Sequence, residues 1–124
     1  MSFIRPVSEI LLPLPDWLLH TPPTEPDSNA GPEARMRYVL ELVRANLEHG
    51  TGGPFAAAVF DLDSGRLLAS GVNLVVPSCC SSAHAEIVAL SRAQQTLGDF
   101  DLGAGGRRCE LVSSTEPCAM CLGA

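Results

Sequence analysis

The sequence predicts a layered α/β domain that follows a proline-rich arm, and three patterns carry this prediction. Apolar side chains recur at helical spacing over residues 32–50. Residues 55–73 contain two stretches of strand length around a turn, and residues 83–124 continue with a helix, a strand and the start of another helix. The order helix, hairpin, helix, strand, helix is typical of helices packed on a sheet. We therefore expect an arm over residues 1–32 and one domain over residues 33–124.

The composition is that of an acidic globular chain. Of its 124 residues, 46% are hydrophobic and 18% are charged, which provides enough apolar surface for a single core. The net charge is −6, and all eight basic residues are arginine. Because an acidic surface repels phosphate backbones and anionic membranes, we expect neither nucleic acid nor a membrane as the partner.

The cysteines and the N-terminal segment favour the cytoplasm. An odd count of five cysteines, two of them spaced like metal ligands, is typical of a reducing compartment and not of a disulfide framework. The apolar segment at residues 11–15 is too short and too rich in proline for a signal peptide. No apolar stretch is long enough to span a bilayer.

The arm and the first helix are distinguished by proline and by apolar spacing. We expect Trp17, Leu18 and Leu19 to anchor the arm on the domain. A helix is predicted to begin at Pro32 and to stop at the glycines from Gly50 onward. The apolar residues predicted to face the core are Met36, Val39, Leu40, Val43 and Leu47.

The next segments predict a hairpin and a second helix. Residues 55–60 form a continuous apolar run, which indicates a strand covered on both faces. Residues 63–65 supply the turn, and residues 67–73 form the return strand. We expect a loop over residues 75–82 and then a helix over residues 83–97. Its predicted N-cap is Ser82, and its predicted inward side chains are Ile87, Leu90, Ala93 and Leu97.

A third strand is predicted at residues 109–113, and a third helix follows Pro117. Cys118 and Cys121 are three residues apart, so on a helix they share one face and can bind one ion. The electropositive start of a helix also favours the thiolate form of cysteine. With His84 as a third ligand, the fourth tetrahedral position is left to water or hydroxide, as in catalytic zinc sites.

Glu86 is the candidate catalytic group beside this site. A carboxylate next to metal-bound water can accept its proton and pass it to a substrate. Residues two apart on a regular helix do not face each other, so we expect His84 at an irregular first turn. The alternative for Cys118 and Cys121 is a redox pair, which the nearby histidine and glutamate disfavour.

Three further cysteines have ordinary explanations. Cys79 and Cys80 precede the second helix, and we interpret them as loop residues. The alternative is that one of them is a fourth ligand, which would close the site and displace the water. Cys109 lies in a strand and is expected to be a small buried apolar residue.

The His-x-Glu and Pro-Cys-x-x-Cys motifs are the signature of zinc deaminases. The sequence resembles the cytidine deaminase superfamily and, within it, bacterial guanine deaminases, from about Ala34 onward. The stretches that carry the resemblance are GGPFAAAV at 52–59, Asn73, AHAE at 83–86 and TEPCAMCLGA at 115–124. The histidine at the first position of the His-x-Glu motif, His84, distinguishes the chain from pyrimidine nucleoside deaminases, which have cysteine at that position.

The resemblance implies a fold and a set of substrate contacts. The fold is a three-layer α/β/α sandwich with a central mixed sheet. Asn73 would hydrogen-bond the base, Phe55 would line the pocket, and the backbone at Ala85 would help to hold the base. For Asn73 the alternative is a turn residue, and for Phe55 it is a core residue. The resemblance also implies a homodimer.

The implied activity is hydrolysis of guanine to xanthine and ammonia, with one zinc per chain. Alternatives are a tRNA adenosine deaminase, a deaminase of a guanine-like triazine or pterin, and a non-catalytic zinc-binding scaffold. Retention of Glu86 argues against the scaffold, since a structural site has no use for that carboxylate. Relatives continue past Cys121 with more helix, two strands and a closing helical segment. We therefore expect a domain truncated at its C-terminal end and inactive by itself.

Overall fold

The computed structural model describes residues 3–124. The chain forms five helices, one 3₁₀ turn and three strands over these residues. In chain order they are α1 (Asp16–His20), α2 (Pro32–Glu48), β1 (Ala56–Asp61), β2 (Leu67–Val72), α3 (Val75–Ser78), α4 (Ala85–Leu97), the 3₁₀ turn (Ala104–Gly106), β3 (Cys109–Ser113) and α5 (Ala119–Gly123). No helix among the described residues is long and apolar enough to cross a membrane.

The sheet has the strand order β2-β1-β3, and β1 is antiparallel to both of its neighbours. The predicted hairpin and third strand are therefore present. Every strand pair within residues 3–124 is antiparallel, so the mixed sheet that we expected is not seen in this part of the chain. β2 and β3 run in the same direction, but they do not pair with each other because β1 lies between them.

Helices cover both faces of the sheet, which confirms the three-layer α/β/α arrangement. Alternate residues of β1 point to opposite faces. Ala56, Ala58 and Phe60 pack with α2, whereas Ala57 and Val59 pack with α4. Burial of the whole strand on both sides explains its continuous apolar sequence.

Close contact between α4 and the sheet depends on Gly71 in β2. A Cβ atom at this position would lie 2.4 Å from the carbonyl oxygen of Ala85 and 2.5 Å from the amide nitrogen of Ala89. Ala85, Ala89 and Ala93 are the small residues that α4 turns toward the sheet. The absence of larger side chains at this contact sets how near the first turn of α4 lies to β2.

The buried faces of the two long helices differ from the predicted ones. In α2 the buried residues are Tyr38, Val39, Leu42 and Asn46. Of the five residues predicted to face inward, Val39 is buried and Val43 is partly buried, but Met36, Leu40 and Leu47 are exposed. Both sides of α2 carry apolar residues, so spacing alone did not identify the side that meets the sheet.

In α4 the buried residues are Ala85, Glu86, Val88, Ala89 and Ala93. Ala93 was predicted correctly, whereas Ile87, Leu90 and Leu97 are only partly buried. Small alanines, and not the larger side chains, meet the sheet because the helix lies so close to Gly71.

The predicted boundaries before α4 also need correction. Residues 75–82 are not only a loop, because they include the single turn α3. The N-cap of α4 is His84 and not Ser82, and no side chain caps this helix end. His84 has an extended backbone (φ −67°, ψ 154°), so it does stand outside the regular helix.

The arm contains the short helix α1, which anchors it to the domain. Trp17 and Leu18 are buried as predicted, but Leu19 is exposed. The Trp17 ring stacks on His49 with ring centroids 5.4 Å apart, and its Nε1 donates a hydrogen bond to Thr51 Oγ1 at 2.9 Å. Trp17 therefore ties the arm to the end of α2 and the loop that follows it.

Candidate metal centre and cavity

Three side chains from two helix starts converge at one edge of the fold. The ligand atoms of His84, Cys118 and Cys121 all lie within 4.8 Å of one another. His84 precedes α4, Cys118 is the N-cap of α5, and Cys121 lies within α5. Cys118 is exposed and Cys121 is buried, so the group spans the boundary between solvent and core.

The distances among these atoms match a tetrahedral zinc site. His84 Nδ1 lies 3.6 Å from the Sγ atom of Cys118 and 3.6 Å from that of Cys121. Zinc–nitrogen bonds of about 2.0–2.1 Å and zinc–sulfur bonds of about 2.3 Å, set at the tetrahedral angle, separate nitrogen from sulfur by about 3.6 Å. Imidazole and thiolate are also ligands that zinc prefers. The residues therefore fit zinc in both geometry and chemistry.

The two thiols have different electrostatic environments. Backbone hydrogen bonds at the start of α5, chiefly from the amide of Cys121, lower the pKa of the Cys118 thiol. Burial raises the pKa of the Cys121 thiol to about 12, and its hydrogen bond to Glu86 adds to this effect. The helix start thus favours the thiolate of Cys118 but not that of Cys121. A metal ion must displace the proton of Cys121, as it does wherever cysteine is a ligand.

Glu86 lies in the first turn of α4 with only 5% of its surface exposed. Its Oε1 accepts a hydrogen bond from Ser113 Oγ at 2.6 Å, and its Oε2 accepts one from Cys121 Sγ at 3.1 Å. Burial alone would raise the pKa of Glu86, but these hydrogen bonds outweigh it and hold the pKa below the ordinary value. The carboxylate is therefore ionised at neutral pH and lies next to the side chains positioned to bind a metal.

A cavity of about 280 Å³ opens beside the three ligands. It is lined by Phe55, Asn73, His84, Ala85, Glu86, Thr115, Glu116 and Cys118. Every substrate-contact residue expected from the resemblance, together with Glu86 and two of the three ligands, lies on this one surface. Cys121, the third member of the group, is buried and contacts Glu86.

The expected substrate residues line the cavity in different ways. Phe55 is 39% exposed, so it lines the cavity and is not a core residue. Ala85 is fully buried. Asn73 follows β2, and its Oδ1 accepts a hydrogen bond from the amide of Val75 at 3.2 Å. This bond fixes the Asn73 side chain at the cavity wall.

A buried asparagine that the sequence analysis did not identify supports this wall. Asn46 of α2 is completely buried, and its Nδ2 donates hydrogen bonds to the carbonyl oxygens of Gly53 at 2.9 Å and Asn73 at 3.3 Å. Gly52 makes this approach possible, because a Cβ there would lie 2.0 Å from the Asn73 carbonyl oxygen. The loop before β1 and the end of β2 are thereby joined through one amide.

The remaining cysteines are not part of the metal-ligand group found among residues 3–124. Cys79 is exposed, and Cys80 packs against the core next to α3. Cys109 is partly buried, and burial raises the pKa of its thiol. The interpretation of Cys79 and Cys80 as loop residues therefore agrees with their positions.

The sequence analysis also missed Ser113, Thr115 and Glu116. The last two line the cavity, and a signal for them existed, since both immediately precede the Pro-Cys-x-x-Cys motif. Ser113 gave no such signal. Its contact with Glu86 depends on the pairing of β3 with β1, which spacing along the chain does not reveal.

Known proteins show the same motifs and fold. The family of the cytidine and deoxycytidylate deaminase zinc-binding region matches residues 31–124. The guanine deaminase of Bacillus subtilis is 37% identical over 92 residues, which are 74% of this chain and 55% of that protein. The chain thus spans about half of that relative's length.

Two solved structures agree closely with this fold. A guanine deaminase from Nitrosomonas europaea has a TM-score of 0.82 and 54% identity, and the match covers 98% of this chain and 65% of that chain. A structure determined in complex with 2,6-diaminopurine has a TM-score of 0.84 and 58% identity, and the match covers 93% of this chain and 60% of that one.

The family match and the geometry concern the same residues. The matched range includes α2 to α5, the three side chains positioned to bind a metal, and the cavity beside them. Guanine deaminases are among the relatives that are similar in sequence and in structure. The chain belongs to the cytidine and deoxycytidylate deaminase zinc-binding family.

Proposed function

We propose that this protein catalyses the hydrolytic deamination of guanine to xanthine and ammonia. The observation that carries the proposal is the position of the ionised, buried Glu86, in contact with Cys121 and lining a cavity shared with His84 and Cys118. A structural zinc site has no use for such a carboxylate. The cavity volume of about 280 Å³ also suits a single base.

The proposed cofactor is one zinc ion per chain, held by His84, Cys118 and Cys121, with water as the fourth ligand. When bound, zinc lowers the pKa of that water and so supplies a nucleophile at neutral pH. The volume beside the ligands is bordered by Glu86 and not by a further cysteine that could serve as the fourth ligand, which supports an open coordination position.

Glu86 is the proposed proton shuttle. It takes a proton from the water whose oxygen adds to C2 of guanine, and it delivers that proton to the adjacent ring nitrogen. It then takes the proton of the new C2 hydroxyl and passes it to the amino group, which leaves as ammonia as the C2–N bond breaks and the C2 carbonyl forms. Proton transfer by a positioned carboxylate accounts for a rate factor of about 10² or more.

Binding of the base is assigned to the cavity walls. Asn73 donates from its side-chain amide to one edge of the base, since its Oδ1 is already engaged with Val75. Phe55 offers its exposed ring edge or face, and the backbone at Ala85 borders the site of attack. These contacts orient C2 toward the metal and Glu86.

The proposal extends to the compartment, the class of substrate and the oligomeric state. The ligand thiols must remain reduced, which favours the cytoplasm, where thiols persist. The net charge of −6 disfavours the anticodon stem of a tRNA as a substrate. The resemblance to relatives also supports a homodimer.

The test is a panel of substrates with zinc-loaded protein. Ammonia release is measured from guanine, adenine, cytosine, a triazine, a pterin and an adenosine in a tRNA stem-loop. Because the chain covers 55–65% of its guanine deaminase relatives, the assay uses both the 124-residue chain and a version extended at Ala124 with the corresponding Nitrosomonas europaea segment. Guanine should react fastest. In the extended version, fastest reaction of the stem-loop, or zinc binding with no turnover of any compound, would contradict the proposal.

A further inference from the structure

We infer that Ser113 is a positioning residue that orients Glu86 for proton transfer, an inference that rests on the proposed function. Ser113 is the last residue of β3, outside both sequence motifs. Its hydroxyl donates a 2.6 Å hydrogen bond to Glu86 Oε1.

The register of the sheet points Ser113 toward α4. Ser113 pairs with Ala57 and Leu111 pairs with Val59 across the antiparallel β1–β3 ladder. Directly opposed residues project to the same face of a sheet. Ala57 and Val59 face α4, so Ser113 emerges on that face at the level of the helix start. Val112 between them projects to the α2 side.

Pairing of β3 with β1 holds the Ser113 hydroxyl in a fixed position. Ser113 stands on the regular ladder next to the central strand, whereas Glu86 reaches inward from the first turn of α4. A free glutamate side chain has three rotatable bonds, and fixing them costs rotamer freedom. The hydrogen bond from Ser113 selects one orientation of the carboxylate.

The two carboxylate oxygens of Glu86 have different hydrogen-bond partners, and Ser113 is the partner that does not bind the metal. Glu86 Oε2 accepts its hydrogen bond from the thiol of Cys121, which is also a metal-ligating residue. A cysteine that binds a metal does so as the thiolate and has no proton to donate. Ser113 is then the side chain that still holds the carboxylate, through Oε1, while Oε2 is free to handle protons. Loss of Ser113 would release both ends of the group.

The expected consequence is a loss of turnover and not of substrate binding. Ser113 does not line the cavity, whereas Glu86 does. Ser113→Ala should lower kcat by about 10- to 100-fold, the scale of one hydrogen bond to a charged group, with KM within about twofold of wild type. Ser113→Thr keeps a hydroxyl on a side chain suited to strands and should restore most of the activity.

The matched control is Ser114→Ala. Ser114 is the next residue, it is buried to a similar degree, and its hydroxyl accepts a hydrogen bond from the amide of Ala56 at 3.1 Å instead of contacting Glu86. Its removal therefore tests the general cost of losing a serine hydroxyl at this end of β3. Its kcat should stay within about twofold of wild type.

The experiment measures kcat and KM for guanine in the two alanine variants, in Ser113→Thr, in Glu86→Gln and in the Glu86→Gln/Ser113→Ala double variant. If Ser113 acts through Glu86, the double variant should be no slower than Glu86→Gln alone. The inference would be overturned if Ser113→Ala lowered kcat by the same factor in the wild-type and Glu86→Gln proteins. It would also be overturned if Ser113→Ala kept the wild-type kcat. These are steady-state measurements on the version extended at Ala124, with matched zinc content in every variant.

A crystal structure provides a readout that does not depend on turnover. In the zinc-loaded wild-type protein, Ser113 Oγ should remain within hydrogen-bond distance of Glu86 Oε1, and the carboxylate should rotate or split into two conformers in Ser113→Ala. An unmoved single conformer would overturn the inference. If wild-type protein deaminates none of the bases, the proposed function fails, and this structural comparison alone decides whether Ser113 positions Glu86.

Discussion

Gly71→Ala tests whether close packing of α4 on the sheet sets the geometry of the site. The added Cβ would lie 2.4 Å from the carbonyl oxygen of Ala85 and 2.5 Å from the amide nitrogen of Ala89. Both are backbone atoms of α4, so no side chain can rotate away. Restoring an ordinary separation of about 3.5 Å requires the helix to move by about 1 Å.

This movement should reduce both stability and activity. Overpacking of this kind costs about 1–3 kcal/mol of the free energy of unfolding. His84 and Glu86 stand at the start of the same helix and would move with it. Misplacement of reacting groups by about 1 Å lowers the rate by about 100-fold, and zinc should also bind less tightly.

The assay combines urea unfolding, zinc affinity and ammonia release from guanine. The control is Gly103→Ala, since a Cβ at Gly103 makes only ordinary contacts, with Asp101 Oδ1 at 3.4 Å and the carbonyl oxygen of Arg107 at 3.9 Å. That variant should match wild type in all three measurements. Wild-type stability and zinc affinity in Gly71→Ala would refute the argument that this glycine sets the position of α4.

Three other outcomes are expected. Glu86→Gln should keep its fold and its zinc, as measured by unfolding and metal analysis, while ammonia release falls by a factor of about 10² or more; near-wild-type turnover would mean that another group shuttles the proton. Asn46→Ala should lose about 1–3 kcal/mol in urea unfolding, because the carbonyl oxygens of Gly53 and Asn73 lose their donor. Asn29→Ala, at an exposed position, should lose less than about 0.5 kcal/mol, and equal losses in the two variants would contradict the role of Asn46. Light scattering should give the mass of a homodimer, and a fully active monomer would remove that proposal.

Local patterns predicted the elements that carry the zinc motifs. The apolar run of β1 and the bounds of β3 could be predicted because each is short and stands between clear turn signals. Because Cys118 and Cys121 are three residues apart, they were expected on one face of a helix. Because His84 and Glu86 are only two residues apart, His84 was expected at an irregular first turn. These are constraints within a few residues of chain.

Features that depend on contacts distant in sequence could not be predicted. Asn46 interrupts an apolar pattern, and its burial is explained only by two carbonyl oxygens from other parts of the chain. α2 has apolar residues on more than one side, so the sheet and not the periodicity selects Leu42 over Leu40. Ser113 meets Glu86 only through the register of β3 on β1.

Zinc-edge X-ray absorption on the zinc-loaded chain tests the central claim, an open three-ligand zinc site, most directly. Two sulfur atoms are expected at about 2.3 Å from zinc, and one nitrogen and one oxygen at about 2.0–2.1 Å. The spectrum should be unchanged in a Cys79→Ser/Cys80→Ser variant. A shell with three or four sulfur atoms, or one that loses a sulfur in that variant, would show a closed site and contradict the claim.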